Sequence, residues 1–164
     1  MNLKINTTTL ALAIVYAALY TALTVGLTPL SYGPVQVRIA DAMVALVPIF
    51  GWAGILGHTA GVFIANIFST AGLLDLLNTI PSFAMAMVIW KLRNRSVLAG
   101  TILYSIVLAG TVGAMLSYLY GLPQLETYIY VLIGILVATT GIGYPLYKAI
   151  KKTGVFQRWL GPGT

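Results

Sequence analysis

Six long apolar runs, separated by short polar segments, account for most of the chain. A helix of about 20 apolar residues crosses the hydrocarbon core of a bilayer. The pattern therefore predicts an all-α membrane protein with six transmembrane helices in one bundle, forming a single membrane domain over residues 1–164. The predicted helices cover about 8–27, 39–50, 52–69, 73–91, 97–120 and 127–147.

The second run is the shortest of the six, and Pro48 lies near its end. By length alone it is compatible with a re-entrant segment. We interpret it as a helix because Ile39 to Phe50 is mostly apolar and contains no other helix breaker. The glycine-containing stretch 50–54 then predicts a tight turn between two antiparallel helices.

Composition supports an integral membrane protein. Hydrophobic residues make up 59% of the chain and charged residues only 7%, and the mean hydropathy is +0.94. A soluble domain carries about 25% charged residues, so little room is left for one here. A cleaved signal peptide is the competing interpretation of residues 1–27. The apolar part of that segment is long for a signal peptide, and five further runs follow it.

The basic residues predict an orientation. If the N-terminus is cytoplasmic, eight of the nine Lys and Arg residues fall on the cytoplasmic side, and only Arg38 lies outside. The positive-inside rule therefore predicts that both termini are cytoplasmic. The net charge of +6 then reflects topology rather than a nucleic-acid surface. We expect a multi-pass protein of the cell membrane, in contact with the lipid bilayer and without a nucleic-acid partner.

Polar side chains collect at the predicted outer ends of the helices. Arg38 and Asp41 are three residues apart at the start of the second helix, which would place them on one helix face. Asp41 suits the helix dipole in a first turn, whereas Arg38 does not. Because charges in a bilayer are costly, they suggest function. The predicted substrate-binding residues at this outer level are Tyr32, Gln36, Arg38, Asp41, Asn66, Asp75 and Asn78.

Simpler interpretations exist for the same residues. Arg38 and Asp41 could form an ion pair near the lipid headgroups, and Asp75 could be a neighbour of a helix N-cap. Asn66 could hydrogen-bond to an adjacent helix as a packing contact. His58, the sole histidine, is interpreted as a packing residue.

Catalytic motifs are missing from the sequence. It contains no Gly-x-x-x-x-Gly-Lys-Ser/Thr phosphate loop, no Ser-x-x-Lys motif and no His-Glu-x-x-His motif. The acidic residues are only Asp41, Asp75 and Glu126, and there is no cysteine, which excludes disulfides and thiolate metal sites. We therefore predict that the protein is not an enzyme and uses neither a metal nor a cofactor.

Small residues form two stripes at four-residue spacing on the first helix. Such rows let another helix approach closely. A helix with two stripes could face both its own bundle and a partner subunit. The predicted partner-docking residues are Ala13, Ala17, Ala18 and Ala22.

The first loop also resembles a known family. Residues 29–42 read Pro-Leu-Ser-Tyr-Gly-Pro-Val-Gln-Val-Arg-Ile-Ala-Asp-Ala, and Ala65-Asn66-x-x-Ser69 and Gly72-Leu-Leu-Asp75 follow. These segments resemble the queuosine-precursor transporter (QueT) family, whose members are substrate-binding S components of energy-coupling factor transporters. The sequence departs from the family pattern in two places: Asn78 stands where glycine is expected, and Gly57-His58 lies in an unusual segment of the third helix. In addition, the acidic residue of the first motif is Asp41, where Glu is commoner.

The resemblance implies that a transmembrane T subunit and the ATPase subunits are other chains, which agrees with the missing phosphate loop. It also implies a 7-deazaguanine ligand. One carboxylate, Asp41 or Asp75, could accept hydrogen bonds from the ring N–H and the exocyclic amine. Arg38, Gln36 or Asn66 could donate to the carbonyl, and Tyr32 could stack on the ring.

Two other functions remain open. The chain could be an S component for another vitamin or small heterocycle. It could also be a stand-alone secondary transporter, which requires an ionisable residue at mid-membrane for ion coupling. His58 is the only candidate for that role.

Overall fold

The computed structural model describes residues 7–32 and 37–154. These residues form six main helices and, within the described ranges, no strand. A one-turn helix, Thr28–Ser31, follows the first of them. The six helices are α1 (Thr7–Gly26), α2 (Ile39–Phe50), α3 (Trp52–Ile67), α4 (Leu73–Asn94), α5 (Val97–Tyr120) and α6 (Gln124–Thr153).

The prediction of an all-α protein is confirmed over the described residues. Four of the helices, α1, α4, α5 and α6, are long and apolar enough to cross a bilayer. The other two, α2 and α3, are shorter apolar helices. The count of six spans and the cytoplasmic termini stay predictions.

Local signals explain where α5 begins and ends. The Ser96 hydroxyl accepts a hydrogen bond from the Ala99 backbone N–H at 3.1 Å and caps the first turn. Gly121 adopts a φ of 65° immediately after the last residue, a left-handed conformation that favours glycine at a helix end. The predicted bounds of this helix, 97–120, therefore agree with the structure. The predicted sixth helix was too short, since α6 begins at Gln124 and ends at Thr153.

The second helix is not a regular α-helix. Its first part, Ile39–Leu46, is a 3₁₀-helix, and only Val47–Phe50 is α-helical. It packs against a π-helical segment of α6, Val137–Gly143. Their contact is close, because a Cβ on Gly143 would lie 2.3 Å from the Ala42 carbonyl oxygen. Such irregular helical segments are frequent at functional sites.

Glycines bring α1 and α3 together. A Cβ on Gly57 would lie 2.7 Å from the Ala13 carbonyl oxygen, and one on Gly61 would lie 2.8 Å from Tyr20 Cβ. Without these two glycines, the helices would have to separate. The close approach places the tyrosines of α1 against the interior of the bundle.

The two small-residue stripes of α1 have different surroundings. Ala13 and Ala17 are buried within the chain, whereas Ala18 and Ala22 are exposed. The docking role of Ala18 and Ala22 stays a prediction, whereas Ala13 and Ala17 are therefore not accessible to a partner, which corrects half of the predicted docking set. The reason is helical periodicity, since Ala13 and Ala17 share a face with Tyr20, which packs on α3.

Candidate functional site

Arg38 lies at the centre of a buried polar cluster. Its side chain is nearly inaccessible, although the residue directly precedes α2. Its Nη1 donates to Asn66 Oδ1 at 3.0 Å, and its Nη2 donates to Asp75 Oδ2 at 3.3 Å in an ion pair. The guanidinium therefore connects the segment before α2 to the end of α3 and the start of α4.

Two asparagines hold Asp75 in place. Asn78 Nδ2 donates to Asp75 Oδ1 at 3.0 Å, and Asn66 Nδ2 donates to the Asp75 carbonyl oxygen at 2.8 Å. Together with Arg38, these contacts provide a donor for each oxygen of the buried carboxylate. Asp75 is thus part of a buried ion pair and not merely a neighbour of a helix N-cap. Asn66 hydrogen-bonds both to the Arg38 guanidinium and to the Asp75 backbone carbonyl, so it is more than a helix-packing contact.

Asp41 lines the same cavity as Arg38 but has a different hydrogen-bond partner. Its Oδ1 accepts a hydrogen bond from the Tyr20 hydroxyl at 2.6 Å. The expectation that Arg38 and Asp41 share a helix face is wrong, because Arg38 is extended, with φ −85° and ψ 91°, and only the residues after it are helical. Arg38 consequently forms its ion pair with Asp75 on another helix.

Tyr32 contacts the cluster from the first loop. Its hydroxyl donates to the Ala65 carbonyl oxygen at 2.6 Å, and the Arg38 guanidinium carbon lies 5.4 Å from the centre of its ring. This distance is within the range of a cation–π interaction. The predicted site residue Gln36 lies outside the described residues.

Electrostatics keep Arg38 charged. Burial lowers the pKa of its guanidinium, but Tyr20, Asp41 and Asp75 raise it, and the net shift is upward. One cation therefore interacts electrostatically with the side chains of two aspartates. Within the described ranges, no group of three or more His, Cys, Asp or Glu side chains is arranged to hold a metal ion.

A small cavity lies beside Arg38 and Asp41. Its volume is about 10 Å³, which is enough for about one water molecule. Its lining combines polar groups with apolar side chains of α5 and α6. The lining residues are Arg38, Asp41, Asn78, Ser82, Tyr104, Leu108, Val112 and Ile135.

A wider groove lies next to the cavity, between α4 and α5. Its volume is about 410 Å³, and Leu77, Pro81 and Met115 are among its apolar lining residues. Asn78 borders both spaces. Its Nδ2 also contacts the Sδ of Met115, a lining residue of the groove, at 3.3 Å.

Sequence reasoning did not assign four residues to the site, and it interpreted one of them, His58, as a packing residue. Tyr104 and Ser82 line the cavity, Tyr20 bonds to Asp41, and His58 lies within 3.2 Å of the Tyr104 hydroxyl. All four are in the middle of apolar helices, where they resemble packing residues. The glycines on either side of His58 were the available signal, because they indicate where two helices meet closely.

Comparison with protein families finds a match over most of the chain. A family model described as QueT transporter matches residues 10–152. Neither the curated proteins nor the solved structures contain a match. The matched range includes every described residue of the polar cluster.

Proposed function

Since the chain belongs to the QueT transporter family, we propose that it is the substrate-binding S component of an energy-coupling factor transporter and binds a queuosine precursor of the 7-deazaguanine type. The family establishes a transporter role. The finer assignment is supported by the buried cluster around Arg38, whose residue types suit the polar edge of a guanine-like ring.

The observation that carries the proposal is an unsatisfied hydrogen-bond donor on Arg38. Its Nε is buried and, among the described residues, has no hydrogen-bond partner. Buried donors are normally satisfied, so an acceptor from a ligand would complete this group. The carbonyl of a 7-deazaguanine is such an acceptor, and Asp41 at the same cavity could accept from the ring N–H and the exocyclic amine.

Binding requires the site to open. Ligand pockets typically have volumes of about 300–1,000 Å³, whereas the cavity beside Arg38 holds about 10 Å³. We propose that the ligand enters by displacing the contact between Asn78 and Met115, which joins the cavity to the groove of about 410 Å³. Methionine is flexible enough for such a change.

The charge of the site suggests which precursor binds better. One arginine and two aspartates give the cluster a formal charge of −1. A 7-aminomethyl group is cationic near neutral pH, so we expect tighter binding of the aminomethyl than of the cyano compound. Calorimetric titration of the purified protein with both compounds tests this prediction. Equal or tighter binding of the cyano compound would contradict it.

The membrane topology and partners belong to the same proposal. We propose that all six helices cross the membrane, that both termini are cytoplasmic, and that the ATPase subunits and a T subunit are separate chains. The exposed Ala18 and Ala22 of α1 would form the docking surface for the T subunit, because small residues permit close helix contact.

The decisive experiment is to identify the natural ligand. The protein is purified in detergent from cells grown in rich medium, and a co-bound molecule is identified by mass spectrometry. A 7-deazaguanine supports the proposal, whereas another heterocycle would indicate an S component of different specificity. Uptake that persists without any ATPase partner would indicate a stand-alone secondary transporter.

A further inference from the structure

A histidine lies at the bottom of the candidate site, surrounded by tyrosines. The His58 side chain is fully buried in α3. Its ring centre is 5.2 Å from that of Tyr20, 5.8 Å from that of Tyr104 and 6.3 Å from that of Tyr16, all in edge-to-face arrangements. A polar ring held in this way has a defined orientation, because aromatic neighbours restrict it on three sides.

The tyrosines connect His58 to the cavity. His58 Nε2 lies 3.2 Å from the Tyr104 hydroxyl, and Tyr104 and Asp41 line the same small cavity. The Tyr20 hydroxyl donates to Asp41 from α1 at 2.6 Å. Asp41 therefore accepts a hydrogen bond from Tyr20 and shares its cavity with Tyr104, which is in turn held by His58.

The direction of these hydrogen bonds follows from the second ring nitrogen. His58 Nδ1 is buried and has no hydrogen-bond partner within residues 7–32 and 37–154. An orphaned buried N–H is rarer than an under-used acceptor, so the proton belongs on Nε2. Nε2–H then donates to the Tyr104 oxygen, which leaves the Tyr104 O–H free to donate towards the Asp41 carboxylate.

From this arrangement we infer that His58 and Tyr104 are positioning residues that orient the Asp41 carboxylate for ligands with two adjacent N–H donors. The inference rests on the proposed function in its choice of ligand, but the orientation of Asp41 does not depend on it. The ligand class is a planar heterocycle that carries a ring N–H beside an exocyclic amine. Tyr20 donates to one oxygen of the Asp41 carboxylate. In this proposal the Tyr104 O–H, which borders the same cavity, orients the carboxylate so that its remaining lone pairs can accept hydrogen bonds from the ligand.

Infrared spectroscopy tests the orientation without any ligand. The chain has only three Asp and Glu residues, so the carboxylate region is simple, and Asp41→Asn identifies the Asp41 band. Tyr104→Phe should shift this band. Tyr16→Phe is the matched control, because Tyr16 also packs on His58 but donates to the Met43 carbonyl oxygen. An Asp41 band that is unchanged in Tyr104→Phe overturns the inference.

Binding measurements test the selection of ligands. Tyr104→Phe should weaken binding of the 7-aminomethyl compound about tenfold, which is typical of a lost hydrogen bond to a charged group. For an analogue without the exocyclic amine, Tyr104→Phe should weaken binding only about twofold or less, because this analogue does not use both acceptor positions of the Asp41 carboxylate. Tyr16→Phe should bind both compounds as the wild type does. Equal losses for both compounds in Tyr104→Phe would contradict the selective role.

Substitution of His58 completes the test. His58→Gln retains an amide donor near Tyr104 and should keep both the Asp41 band and the affinity close to wild type, whereas His58→Phe should resemble Tyr104→Phe. If His58→Phe does not fold, the comparison of Tyr104→Phe with Tyr16→Phe decides. The two proposals can fail separately. If Tyr104→Phe shifts the Asp41 band but the wild-type protein does not bind 7-deazaguanines, the proposed substrate is refuted and the positioning role stays supported.

Discussion

The backbone conformation of Arg38 decides its role. In a regular helix, Arg38 and Asp41 would lie on one face and could form a local surface ion pair. Arg38 is instead extended at the start of a 3₁₀ segment, and its guanidinium reaches Asn66 and Asp75. Because the backbone of Arg38 is extended and not helical, its side chain links the segment before α2 to α3 and α4 and does not pair locally with Asp41.

Removal of Arg38 should abolish ligand binding. Arg38→Ala leaves Asp75 buried without its cation, which costs about 3–5 kcal/mol of stability in typical buried pairs. Arg38→Lys keeps the charge but lacks the planar fork that contacts two partners, so we expect intermediate affinity. Asp41→Ala should also abolish binding. Titration calorimetry and thermal unfolding in detergent measure these effects.

Arg93→Ala is the control for this series. Arg93 lies over the Trp90 ring at 4.1 Å and donates to the Trp90 carbonyl oxygen, at the opposite end of α4 from Asp75, so ligand affinity should not change. Normal binding by Arg38→Ala or Asp41→Ala would show that the loop motif is structural and that the ligand binds elsewhere.

At the scale of the helices, glycine positions control which elements meet. Gly57 and Gly61 let α3 approach α1 closely, and that approach brings Tyr20 to the same site as Arg38 and Asp41. Gly143 has the same effect for α2 and α6 at Ala42. The geometry of the site therefore depends on these three glycines, because only a residue without a side chain allows the helices to approach so closely.

Gly57→Ala should destabilise the protein by about 1–3 kcal/mol, as is usual for an overpacked contact. The added Cβ would lie 2.7 Å from both the Ala13 carbonyl oxygen and Tyr16 Cβ. Gly110→Ala is the matched control, because no atom lies within 4 Å of its added Cβ. Alanine favours the helix there by about 0.5–1 kcal/mol. Thermal unfolding of both variants in the same detergent is the measurement, and equal stability would argue against the close contact.

On the scale of the whole molecule, one face of α1 remains available for a partner. Ala18 and Ala22 are exposed, and the large apolar side chains Val15 and Leu19 beside them are also exposed. In a membrane, lipid can cover such a surface, but the flat patch of small residues also permits close contact with another helix.

Bulky substitutions on this face should prevent assembly with a T subunit. Ala18→Trp and Ala22→Trp should reduce co-purification of the T subunit, while ligand binding by the isolated protein stays unchanged. Ala114→Trp, at an exposed position of α5, is the control and should assemble normally. Assembly unaffected by both α1 substitutions would place the interface on another face.

The sequence by itself determined the class of protein and the helices. Long apolar runs predict spans because the bilayer has a set thickness, and capping residues such as Ser96 and Gly121 locate helix ends by local backbone chemistry. The polar residues near helix ends, including Arg38, Asn66 and Asp75, could be predicted to meet because ends on one side of a membrane lie at one level.

Only the tertiary structure decided the partners of these residues and the inner part of the site. The pairing of Arg38 with Asp75, rather than Asp41, depends on a non-helical conformation that the sequence pattern does not reveal. The roles of Tyr104 and His58 depend on how far each helix is rotated about its axis. Hydropathy measures that rotation poorly in a helix that is apolar on all sides, because lipid-facing and buried positions then have the same polarity.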